Sequence, residues 1–168
     1  MIKDLAARVR PECTVTQRDW ARLYRHLGFV TPRDYEQIVD TYGAGEFDEF
    51  LLVLDPQNDN QYLDLKSQVN VRRQALLGLT SEVIPYSIES LTACAYTNNG
   101  DVIYWITDRS VNPDDWTVTI NAARDNEWDE FDGTLLDLLV GLFTRTHVSP
   151  FFPEDFPSPA GVTFRRFA

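Results

Sequence analysis

Residues 20–50 read WARLYRHLGFVTPRDYEQIVDTYGAGEFDEF, and the order of elements in this stretch decides the fold. Trp20, Leu23 and Leu27 recur at i, i+3 and i+7, behind Thr16 as a cap with Asp19 three residues on. Gly28 stands where a left-handed residue closes a helix. Thr31 is placed to cap a second helix, with Pro32 and Asp34 in its first turn and Tyr35, Ile38, Val39 and Tyr42 on one face. Gly43 ends that pattern. A link of only a few residues makes the two helices pack as a hairpin. Gly43-Ala44-Gly45 permits a sharp reversal into 47–54, where Phe50-Leu51-Leu52-Val53-Leu54 reads as one buried strand.

Working outward, Ile2, Leu5 and Val9 mark an earlier helix over 2–10 that Pro11 stops. After a polar turn at 55–60, residues 61–78 form a helical pattern with Tyr62, Leu65, Val69 and Leu76 on its inner side. Beyond Pro85 the period changes to that of strands. Leu91–Tyr96 and Val102–Ile106 flank Asn98-Asn99-Gly100-Asp101, a strong hairpin signal. Trp116, Val118 and Ile120 alternate with Thr117, Thr119 and Asn121, which predicts one buried and one wet face. Residues 125–132 read as an acidic loop. Thr134 and Asp137 open an almost wholly apolar last helix. The expectation is an α+β domain over 1–148, with helices packed on one face of a central, mainly antiparallel sheet. The Pro- and Phe-rich residues 149–168 read as a strap on that same domain, because five loose phenylalanines would promote aggregation.

Composition limits the chemistry. The chain has 168 residues, 43% of them hydrophobic, with ten Phe, seven Tyr and four Trp, enough for one well-filled core. Its longest aliphatic cluster, 135–143, is too short to cross a bilayer, and no export signal opens the chain. Only Cys13 and Cys94 occur, far apart and without metal-ligand spacing, so a reducing, cytoplasmic location is expected. Nucleophile-elbow, phosphate-loop, dinucleotide and zinc-protease motifs are all missing. Asp55 to Gln61 resembles a calcium loop only briefly, since it lacks the central glycine and places Lys66 where a bidentate Glu belongs. Neither His26 nor His147 has a companion at catalytic spacing. The expectation is a non-enzyme without cofactor or metal.

Charge is the more telling feature. Net charge is −11, and residues 34–64 carry nine acids and no Lys or Arg. Residues 101–132 carry nine more against Arg109 and Arg124. Such a surface repels nucleic acid and anionic membrane and attracts a basic protein. Two segments interleave aromatics with acids in the manner of an interface: Glu46, Asp48 and Glu49 around Phe47, and Asp125, Glu127, Trp128, Asp129, Glu130 and Asp132 around Phe131. The competing reading packs Trp128 and Phe131 inward and leaves the acids solvated.

Trp20, Leu27-Gly28, Thr31-Pro32-Arg33-Asp34-Tyr35, Ile38 and Tyr42-Gly43-Ala44-Gly45 together resemble the N-terminal signature of the SUKH superfamily. Asn99-Gly100-Asp101 with Tyr104-Trp105, Asp114-Asp115-Trp116 with Val118, and the stretch from Phe131 to Phe143 are similar to that family's hairpin, following strand and closing helix. The resemblance spans Trp20 to Phe143, apart from the region around 67–78. It implies an α+β fold without catalytic function. It also implies a bacterial immunity protein that neutralises a polymorphic toxin, often a nuclease, or alternatively a regulatory scaffold. The matched positions read as fold determinants, so no site residues follow from them.

Overall fold

The computed structural model describes residues 1–12 and 17–167. Five helices surround one seven-stranded sheet of order β6-β5-β4-β3-β2-β1-β7, in which every neighbouring pair is antiparallel. The expected α+β class is the one observed.

Helix α1 (Ile2–Arg8) inserts Leu5, and Val9 beyond it, into the core. Helix α2 (Trp20–Leu27) is capped by Asp19, whose carboxylate accepts from the Arg22 N–H, and Gly28 closes it at φ 84°. The cap expected from Thr16 lies outside the described residues. Helix α3 (Arg33–Tyr42) starts one residue later than the pattern suggests, with Pro32 at the cap position. Thr31 does not cap it; its hydroxyl donates to Glu36 instead. Asp34 is likewise drawn away, accepting from the N–H of Leu136, 102 positions on, at the start of α5 (Leu135–Thr144). For Asp34 a tertiary partner outcompetes the local cap because α5 begins beside α3, whereas Thr31 turns to Glu36 within α3.

The single strand expected over 47–54 is two. β1 (Gly45–Phe47) and β2 (Leu51–Val53) pair around Asp48 and Glu49, both of which hold left-handed φ values, 56° and 53°. A run of apolar residues cannot reveal this hairpin, since both of its strands are buried. Helix α4 (Leu65–Gly78) is capped by Asp64 and starts later than expected. Tyr62 therefore lies in the preceding loop, 64% exposed rather than inward.

β3 (Leu91–Thr97), β4 (Val102–Ile106) and β5 (Thr117–Asn121) form the expected meander, with Gly100 at φ 97° in the first turn. The acidic loop of 125–132 is instead a turn plus an edge strand, β6 (Trp128–Phe131), reached through Asp125 and Asn126 in left-handed conformation. Two such residues in succession supply the twist a tight hairpin needs. The tail returns as β7 (Phe164–Arg166) on the opposite edge, paired with β1.

Cross-strand register places Trp105 with Val118, and Ile103 with Ile120, on one face. Helices α1, α3 and α5 pack against one another there, and the ring of Tyr35 meets Trp105 edge-on at 5.0 Å. Buried tyrosine hydroxyls are satisfied by backbone: Tyr35 donates to the carbonyl of Leu54 and Tyr42 to that of Val9. The other face is covered as well. Ala93, Tyr104 and Thr119 are buried there, Tyr86 and Trp128 stack nearby, and Arg72 of α4 lies over Tyr96. Thr119, expected to be wet, is shielded because the segment before β3 lays Tyr86 over it, hydroxyl to hydroxyl at 3.4 Å. Among the described residues no helix is long and apolar enough to cross a membrane.

Candidate functional site

Antiparallel register brings acids that are distant in sequence to one end of the sheet. Leu51 pairs with Thr97, Tyr96 with Val102, Val102 with Asn121, and Asn121 with Trp128. The turns after β1, β3 and β5 therefore share an end. With strands about 4.8 Å apart, the β1–β2 and β5–β6 turns stand roughly 20 Å from one another. That span suits a protein-sized partner.

Each turn is held in place. Asn98 donates from its side-chain amide to the carbonyl of Glu49, and its backbone N–H donates to Phe50. The buried carboxylate of Asp101 accepts from the Thr97 hydroxyl on one oxygen and from the Ala123 N–H on the other, tying the β3–β4 turn to the strand pair beside it. The tail reaches the same end: Asp48 accepts from the Ser158 N–H at 2.5 Å, and its own N–H donates to Thr163. Asp155 and Phe151 line shallow depressions there, beside Glu49 and Asp125 respectively.

The sequence-derived candidates divide. Glu49, Asp125 and Glu127 are exposed at this end, with Asp48 half-buried next to them. Glu46 is not available to a partner: it is buried within β1, where it pairs with Arg165 of β7. Trp128 packs against Tyr86 and Tyr104 and donates its indole N–H to Asn126, so it pins the hairpin. Asp129 faces His147 at 3.4 Å, and Glu130 accepts from the Tyr86 hydroxyl. Asp132 is exposed but lies past the other end of β6, away from the turns. Sequence reading could not separate these roles, because an acid looks the same whether a cross-strand arginine or water faces it. It also missed Asp155, which only the fold of the tail places here.

Several groups with nucleophilic or acid–base potential are packed within the fold. Cys94 is fully buried, its thiol donates to the carbonyl of Ile103, and burial pushes its pKa well above the usual range. Cys13 lies outside the described residues. His147 packs edge-on against Phe131. Asp34 is raised from the ordinary carboxylate value by burial, against the lowering effect of the Leu136 N–H. Tyr24 is pushed up to about 12, by burial first and by its hydrogen bond to Glu36 second. Among the described residues no cluster of His, Cys, Asp or Glu is arranged to hold a metal ion. The turns can present charge and shape to a partner, and among the described residues none at this end brings acid, base and nucleophile together. Comparison of the chain with protein-family models, curated proteins and solved structures finds no match.

Proposed function

We propose that this chain is a non-catalytic interaction protein, an immunity protein of the SUKH type that neutralises a basic toxin domain by docking its acidic sheet end. The observation that carries this reading is the convergence of exposed Glu49, Asp125 and Glu127 on one end of a rigid sheet. A nuclease must present a basic groove to phosphate. An acidic, preorganised surface can occupy that groove with fast, electrostatically steered association. The net charge of −11 supports the same partner chemistry and disfavours nucleic acid or anionic membrane as the target.

Co-expression with a basic nuclease domain encoded beside it, together with association kinetics for the purified pair, tests this reading. Reversing charge with Glu49→Lys, Asp125→Lys and Glu127→Lys is expected to slow association by about tenfold or more at low salt and to flatten its salt dependence. Asp132→Lys, away from the turns, is expected to leave the rate within about twofold. Full protection by the triple variant would rule out this end as the interface. Capture of a partner that is not a toxin would assign the chain to the regulatory-scaffold reading instead.

A further inference from the structure

A cleft of about 620 Å³ opens at the end of the sheet opposite the acidic turns, bounded by the α2–α3 link, α4 and the loop from Thr107 to Trp116. Its volume is that of a small-molecule site. Two independent features mark it. First, Arg73 and Arg109 both line it, and among the described residues neither has a carboxylate within ion-pair distance, in a chain with 26 acids. The Arg73 Nε is buried without a hydrogen-bond partner. A buried arginine Nε without a partner is uncommon, since buried polar groups nearly always find one, and the Arg109 side chain beside it is exposed. Second, Val30 and Val111, 49% and 39% exposed, line the same cleft, and Val69 and Trp116 add further apolar wall.

The local charge is specific. Lys66, Arg73 and Arg109 contribute three positive charges, and Glu89 and Asp108 two negative ones, leaving a surplus of one. Both acids hold hydrogen bonds: Glu89 accepts from the Ser87 hydroxyl and also lies in the field of Arg73, and Asp108 accepts from the hydroxyl and N–H of Ser110. Lys66 donates to the carbonyl of His26. The two arginines are the free donors. A single surplus charge between apolar walls matches a monoanion on an apolar body better than a phosphate dianion, which would also meet Glu89 and Asp108.

We propose that this cleft binds a small amphipathic monocarboxylate, its carboxylate turned to Arg73 and Arg109 and its apolar body against Val69 and Trp116. The site is independent of the toxin-docking reading and lies at the far end of the sheet from it. Titration of the full chain with 4-phenylbutyrate, followed by the NMR signal of the Trp116 indole N–H and by thermal unfolding, tests it. Saturable binding is expected, weaker by about tenfold or more for the corresponding primary amide and for inorganic phosphate. Arg73→Gln and Arg109→Gln are each expected to lower carboxylate affinity by about tenfold while leaving the circular dichroism unchanged. Equal binding of the amide by the unaltered protein overturns the assignment of the charge, whatever the variants do. The absence of any saturable shift of Trp116 at millimolar 4-phenylbutyrate overturns the site.

Discussion

Single residues in this protein are defined by what faces them. Asp34 looks like a first-turn acid of its own helix, yet its carboxylate serves the N-terminus of α5. The cost of that service is burial, which raises its pKa in the folded state. A carboxyl with a raised folded pKa binds more protons in the folded than in the unfolded chain, so its contribution falls as pH rises from about 4. Asp34→Asn keeps an oxygen to accept from Leu136 and removes the charge. Urea unfolding of both proteins should show the variant gaining stability relative to the parent as pH rises from about 4 towards neutrality. A difference that stays constant across that range would show that Asp34 carries no such penalty.

At the scale of elements, the glycines of the opening stretch acquire distinct physical reasons. Gly28 closes α2 in the left-handed region, as its position in the sequence already indicates. Gly45 is needed for a reason no local pattern contains: a Cβ there would collide with the Arg165 carbonyl and the Phe164 ring of β7. Gly45→Ala must therefore push β7 from the edge of β1. Overpacking against backbone costs about 1–3 kcal/mol. The expected result is a lower unfolding midpoint together with faster amide exchange in 164–166. Unchanged exchange there would mean that β7 is not held by this joint. The helix periods, the cap at Thr134 and the Asn-Asn-Gly-Asp turn were legible because each is a contact within a few residues. The return of β7 was not, because it pairs Arg166 with Gly45 from the far end of the chain. The split of 47–54 and the edge strand β6 were not, because both strands of the first hairpin are buried and the second is masked by its acids.

For the molecule as a whole, the sheet separates two chemistries. Its turn end carries exposed acids, and its opposite end holds a cleft with two arginines that form no salt bridge among the described residues. Between them the core buries aromatic side chains heavily, and six of the seven tyrosines have raised pKa values, with burial the leading cause in each. Tyr24 and Tyr104 reach about 12. Folded-state values above the unfolded value of about 10 mean that this stability is complete below pH 10 and is lost as pH rises through the folded pKa values. Titration followed by tyrosinate absorbance should show most tyrosines ionising late and together with loss of the circular dichroism signal. Early, independent ionisation of six tyrosines near pH 10 would contradict the packing described above.

The sequence alone determined the class of fold, most helices and the meander, because caps, glycine turns and hydrophobic periods are short-range physics carried by neighbouring residues. It also determined the surplus of acid, which is a property of composition. Only the tertiary structure decided which acids are free. Glu46 and Arg165 meet across β1 and β7, Asp129 and His147 across β6 and the end of α5, whereas Glu49, Asp125 and Glu127 remain in water at one end. The physical reason is that a charge is defined by its surroundings, and strand register and chain closure assemble those surroundings from distant segments.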